Sequence, residues 1–193
     1  MLFRSGITKR TAEGVELRVH PTLIPTKRLI ANVEGAMNAV VVQGDAVGAT
    51  LYYGKGAGAE PTASAVIADL VDVTRMHTAD PEHRVPHLGF QPDQLVDLPI
   101  LPITEVHTSY YLRLRVQDEP GVLADIMRVL ADEQISIDAV IQKEPGEGED
   151  EADLILLTHL TIEKRINAAI DRLEKLSVVV GKVTRIRMEA LGK

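Results

Sequence analysis

Two stretches of this sequence hold residues arranged for small-molecule chemistry. The first is Gly54-Lys55-Gly56-Ala57-Gly58-Ala59. Glycines let a backbone come close to a ligand, and the helix start that follows offers free N–H groups and a positive dipole end to a phosphate. The bland alternative is a tight turn that packing requires. The second stretch is Asp118-Glu119-Pro120-Gly121-Val122-Leu123. A helix amino end suits a carboxylate and the Asp118 side chain suits an ammonium, so together they would grip a zwitterion. Plain N-capping also explains an aspartate at that position.

Other candidate groups say less. The hydroxyls of Thr22, Thr62 and Ser64 can donate to a substrate or phosphate, and Thr62 equally suits helix capping. His20, before Pro21, reads as a strand-end residue. His83 and His87 stand four apart, but Pro86 between them spoils the helix that would aim both at one metal, so no metal site is expected. Zero cysteines exclude disulfides and thiolate metal sites and fit a cytoplasmic protein. The net charge of −7, with no basic block, argues against nucleic acid. No run approaches the roughly 18–20 apolar residues of a membrane span. The acidic run Glu147–Glu151 reads as a solvated hairpin loop.

The elements that must position these groups fall into two blocks around a softer stretch. Aromatics are only 3% of the chain, so its cores must be aliphatic. In the first block, residues 1–75, a strand begins almost at once, which suggests that the sequence is part of a longer protein. Gly14–Val19 alternates as a strand that His20-Pro21 ends. Asn38–Gln43 and Gly48–Tyr53 flank the turn signal Gly44-Asp45 and read as a hairpin. After the glycine loop, Ala63–Thr74 has a helical stripe of Val66, Ile67, Leu70, Val71 and Thr74. Residues 76–107 hold Pro81, Pro86, Pro92, Pro99 and Pro102, which exclude a long helix or a central strand. They read as an extended linker whose Leu95, Leu98, Ile100 and Leu101 pack against a neighbour.

The second block, residues 108–193, is more regular. Tyr111–Gln117 alternates with Leu112, Leu114 and Val116 inward. Asp118 precedes a helix with Pro120 in its first turn, striped by Val122, Ile126, Val129 and Leu130. Ile135–Gln142 and Leu154–Leu160 read as strands, Ile162, Ile166, Ala169, Ile170 and Leu173 as a second helical stripe, and Val178–Met188 as a last strand. The order β-α-β-β-α-β is the ferredoxin-like split βαβ unit, an antiparallel sheet with both helices on one face. The expected fold class is therefore α+β.

The second block resembles ACT domains, through Leu112-Arg113-Leu114 running into Asp118-Glu119-Pro120-Gly121-Val122-Leu123 and then Ile135-Ser136-Ile137. The first block resembles the distal catalytic region of homoserine dehydrogenases, through Glu16-Leu17-Arg18-Val19-His20-Pro21-Thr22-Leu23-Ile24-Pro25, Asn38-Ala39-Val40, Gly44-Asp45-Ala46-Val47-Gly48, Gly56-Ala57-Gly58-Ala59 and Pro61-Thr62-Ala63-Ser64. That resemblance implies an NAD- or NADP-dependent interconversion of L-homoserine and L-aspartate 4-semialdehyde. Gly58 matches a glycine beside the nicotinamide cofactor, and Gly56 and Thr62 of the same loop go with it as cofactor-binding residues. The family's nucleotide-binding fold and catalytic lysine lie upstream of the Glu-Leu-Arg-Val-His-Pro string. None of Lys9, Lys27 or Lys55 stands in that lysine's motif, so no catalytic residue is assigned.

The ACT resemblance implies an amino-acid effector, L-threonine by pathway, held by Asp118, Gly121, Val122, Leu123, Ser136 and Ile137, often across a dimer interface. Two positions depart from the families' patterns. Arg28-Leu29 stands where His-Pro is frequent, and Gln134 stands where a glycine of positive φ often ends the helix. The rival from another functional class is a stand-alone amino-acid-binding regulator without catalytic activity.

Overall fold

The computed structural model describes residues 1–78, 89, 91–143, 146, 148 and 150–191. His83, His87 and three of the five linker prolines fall outside the described residues or have undescribed side chains, as do Glu147 and Glu149 of the acidic run. The architecture is α+β, in two compact units: Met1–Pro25 with Leu98–Lys193, and Thr26–Asp97. The sequence division at residues 75 and 107 does not follow these units. The first 25 residues join the C-terminal unit because their backbone is hydrogen-bonded into its sheet.

In that unit, β5 (His107–Gln117), α2 (Val122–Asp132), β6 (Ile137–Lys143), β7 (Glu151–Thr158), α3 (Glu163–Leu173) and β9 (Val179–Met188) make the expected split βαβ unit, with a two-residue strand β8 (Thr161–Ile162) before α3. The order β9-β5-β7-β6 puts the first and third strands in the centre. These central strands alternate strictly: Leu112, Leu114 and Val116 of β5 and Ala152, Leu154 and Leu156 of β7 face the helices. Ile126, Val129 and Leu130 of α2 and Ile166, Ala169 and Leu173 of α3 close the core over them. Its largest aromatic contribution is Tyr110, fully buried.

A hairpin of β1 (Leu2–Arg10) and β2 (Val15–Leu23) extends this sheet. Strand β2 runs parallel to β9, pairing Thr22 with Arg187 and Leu23 with Met188. It therefore continues through His20-Pro21, where the sequence pattern ends it. Pairing with β9 begins only at Thr22, so the missing Pro21 N–H removes no ladder bond on that side. The returning segment also meets β2: Val15 N–H donates to the Pro99 carbonyl (2.8 Å) and Leu101 N–H to the Val15 carbonyl (2.9 Å). At Gly14 a Cβ would stand 2.4 Å from the Pro99 oxygen, so this crossing requires glycine. Leu95, Leu98 and Ile100 are nevertheless exposed, contrary to the packing expected of them. Leu101, the fourth of them, is partly buried with its side chain beside Gly14, and the backbone bonds do the rest of the tying.

The second unit holds the hairpin β3 (Met37–Gly44) and β4 (Gly48–Lys55), in register from Met37–Lys55 to Gly44–Gly48, and the 20-residue helix α1 (Ala59–Thr78). The hairpin matches the sequence pattern. The helix begins four residues before the expected Ala63, because Pro61 lies in its first turn, where no N–H is needed.

Candidate functional site

Two constellations flagged in the sequence can be followed into the structure, one in each unit. At the end of β4 the chain turns through Gly54–Gly58 into α1, which places Gly56, Gly58 and Thr62 around one exposed helix start. Gly58 has φ +123°, a conformation that L side chains rarely adopt. Gly56 passes so close to Asn38 that a Cβ would lie 1.7 Å from its Nδ2. Thr62 N–H donates to the Gly58 carbonyl at 3.2 Å, so Thr62 is a first-turn residue and not a cap. The loop thus has both properties weighed above: it is a turn forced by close approach, and it leaves an open helix start where an anion would be stabilised.

Asp118 follows β5, but α2 begins only at Val122, with Gly121 at the N-cap in a left-handed conformation (φ +99°). The N-cap reading of Asp118 and the placement of Pro120 in the first turn are therefore corrected. Glycine can take the positive φ of this tight entry, and aspartate cannot do so as easily. The Asp118 carboxylate instead accepts a hydrogen bond from the Gln142 amide on β6 (3.0 Å). Val122 is buried in the core while Leu123 is exposed.

Ser136 and Ile137 lie beyond the other end of α2, at the start of β6. The strand register makes the separation plain. Gln117 pairs with Glu151 near one end of β7, and Ile137 pairs with Thr158 at the other. An 11-residue helix is about 16 Å long, so within one copy these two sets of residues form no single site. Between them, α2 ends in a Schellman closure: Ile135 N–H donates to Leu130 (2.9 Å) and Gln134 N–H to Ala131 (2.9 Å). Gln134 has φ +56°, as its replacement of the usual glycine implies.

Sequence reasoning missed two buried polar groupings. Glu163, at the start of α3 and 2% exposed, accepts from the Tyr110 hydroxyl (2.6 Å), is bracketed by Arg187 through two nitrogens, and pairs with Arg185 at 3.2 Å. Burial pushes its carboxyl up, but the Arg187 and Tyr110 hydrogen bonds outweigh that and hold it below its ordinary range. Burial and the Glu163 bond push the Tyr110 hydroxyl well up. The second grouping is a stripe on β2. Glu16, Arg18, His20 and Thr22 face inward while Leu17 and Val19 face out. His20 Nδ1 meets the Thr22 hydroxyl at 3.0 Å, and desolvation, reinforced by Arg187 and Arg18, lowers its pKa. The i, i+2, i+4 run of Glu16, Arg18 and His20 was a visible signal, but polar residues on a strand are ordinarily assigned to solvent.

Among the described residues no group of three or more His, Asp or Glu side chains is placed to hold a metal, and no helix is long and apolar enough to cross a membrane. A split βαβ sheet with a glycine-capped helix entry, together with a hairpin–glycine loop–helix unit, defines an α+β chain with a ferredoxin-like domain in its C-terminal part. The comparisons agree in both halves: the ACT domain model matches residues 110–178 and the homoserine dehydrogenase model residues 4–71.

A homoserine dehydrogenase of Pseudomonas aeruginosa is 60% identical over 187 residues, covering 97% of this chain and 43% of that protein. One from Methylobacillus glycogenes is 63% identical, covering 97% and 44%. The crystal structure of a homoserine dehydrogenase from Thiobacillus denitrificans matches with a TM-score of 0.87 and 68% identity, over 97% of this chain and 42% of that one. The chain belongs to the homoserine dehydrogenase family and corresponds to the C-terminal region of its members, ACT domain included. It spans less than half the length of these relatives.

Proposed function

We propose that this chain is the cofactor-facing and regulatory portion of a cytoplasmic, NAD- or NADP-dependent homoserine dehydrogenase that interconverts L-homoserine and L-aspartate 4-semialdehyde. The observation that carries this reading is identity of 60% or more along 97% of the chain, through both halves, to proteins of that name. The nicotinamide cofactor, when bound, exchanges a hydride with the carbonyl carbon of the substrate. This chain contributes Gly56, Gly58 and Thr62 at the open start of α1, where helix N–H groups orient an anionic or polar part of the cofactor. The exposed apolar side chains of β3, β4 and α1, among them Val40, Tyr52, Ile67 and Leu70, are the surface on which a nucleotide-binding domain would close. Residues 1–193 on their own are expected to show no homoserine-dependent reduction of NAD or NADP. Turnover by this chain alone would refute that assignment of parts.

The ACT domain is proposed to bind an amino-acid effector, L-threonine by the pathway logic, between two copies of the chain. Strand β6 is the free long edge of the sheet on that side. Antiparallel pairing of two β6 strands about a twofold axis would bring Ser136 and Ile137 of one copy to the Gln142–Asp118 end of the other. That arrangement reunites the residues that a single copy separates, with the start of α2 facing the carboxylate and Asp118 the ammonium. Isothermal titration of the folded chain with millimolar L-threonine should release or absorb heat saturably, and Asp118→Ala should abolish it. A folded, dimeric protein that gives no heat would remove threonine from the proposal.

A further inference from the structure

We propose that Arg18 is a two-position latch between the β1–β2 hairpin and the sheet of the ACT domain. It tightens their joint through Glu189, which Lys9 also holds, and loosens that joint when it turns to Glu16.

The backbone joint between the two parts is short. Strand β2 pairs with β9 at Thr22–Arg187 and Leu23–Met188, and the ladder ends with Glu189 N–H donating to the Leu23 carbonyl at 3.0 Å. Side chains do the rest. The Glu189 carboxylate, 9% exposed, accepts from Arg18 Nη2 at 3.0 Å and from Lys9 Nζ at 2.6 Å. Both cations belong to the hairpin, and the carboxylate follows β9.

Arg18 has a second carboxylate within reach. Its Nη2 lies 3.7 Å from Oε2 of Glu16, two residues earlier on the same strand face. The Arg18 side chain is only 1% exposed, yet its Nε and Nη1, and Oε2 of Glu16, have no hydrogen-bond partner among the described residues. A buried guanidinium that uses so few of its five donors is under-satisfied, and arginine–carboxylate pairs favour two parallel bonds. A turn toward Glu16 would satisfy the idle atoms of both groups at the expense of the Glu189 bond. Glu16 would keep its other contact, in which Oε1 accepts from His107 N–H at 3.2 Å.

The two arrangements differ in what they connect. One ties the hairpin to β9, and the other satisfies Arg18 within the hairpin. Two residues before Glu189, Arg187 grips Glu163 at the start of α3. A small shift of α3 against β9 therefore moves the carboxylate on which the latch closes. Such a discrete, two-state contact is the kind of element that passes a change between parts of a protein. Its regulatory meaning rests on the effector binding proposed above, whereas the latch itself does not.

Hydrogen–deuterium exchange on the full 193-residue chain tests it without any ligand. Glu189→Gln should speed exchange of the residue-189 amide, which donates to the Leu23 carbonyl across the joint, by about tenfold or more, as expected for local opening. The amides of Leu112, Leu114, Leu154 and Leu156 should be unaffected. Glu189→Asp, which keeps the charge on a shorter arm, should act in the same direction with smaller size, and it serves if the glutamine variant does not fold. Glu16→Gln retains an acceptor for His107 N–H but removes the alternative carboxylate, so exchange of the residue-189 amide should stay at or below the wild-type rate. Wild-type exchange in both Glu189 variants, or acceleration in Glu16→Gln, would overturn the latch. Failure of the threonine titration would leave these exchange results intact and remove only the proposed trigger.

Discussion

At the scale of single residues, buried charge is concentrated where β2, β9 and α3 meet. Among the described residues Glu163 is the most deeply embedded carboxylate, and Tyr110, Arg185 and Arg187 all converge on it. Removing one partner of a buried pair leaves the others uncompensated, at about 3–5 kcal/mol. Glu163→Ala should therefore lower unfolding stability by roughly that amount, read from urea midpoints at pH 7. His20 gives a prediction of different sign. Its folded pKa lies below its ordinary 6.5, so between those values the unfolded chain binds more protons than the folded one. Stability should fall as pH drops below about 6.5 and level off once the folded histidine is itself protonated. A His20→Asn variant should lose this part of the urea-midpoint profile. An unchanged profile would show that the histidine does not titrate in this way.

At the scale of elements, the close of α2 is the place where sequence and geometry conflict. Gln134 must adopt a left-handed conformation to complete the Schellman closure, and only its glycine-like φ lets Ile135 reach Leu130. Gln134→Gly should stabilise the chain by up to about 1 kcal/mol, less the greater entropy of glycine in the unfolded state. Thermal unfolding of the pair would show it, and a lower midpoint for the glycine variant would contradict it. The conflict was legible in the sequence, because Ile-Ser-Ile follows directly. The entry to the same helix was not. A run such as Asp-Glu-Pro-Gly offers several cap candidates, and the choice of Gly121 depends on how β5 delivers the chain to the sheet.

At the scale of the whole molecule, the two units differ sharply in burial. The unit containing the ACT sheet has a core of fully buried aliphatic side chains. Of the second unit, Thr26–Asp97, only Ala31 is buried among the described residues, and α1 buries none. Regions with few buried apolar contacts open at low free energy. Limited proteolysis should therefore cut within residues 26–97 well before it cuts within 107–188. Equal rates in both would show that the second unit is stable by itself.

The sequence by itself determined the local content of this protein. Period-two alternation specified the strands of the split βαβ unit, helical stripes specified α2 and α3, and the order of motifs identified the family. These signals survive because each depends on neighbours only a few residues away. Tertiary structure decided what no local pattern carries. It joined the first 25 residues to a strand that lies more than 160 residues later, turned the polar face of β2 inward, and separated Asp118 from Ser136 at opposite ends of a helix. Each of these depends on long-range pairing, where a strand's inner face is set by what covers it and not by its own composition.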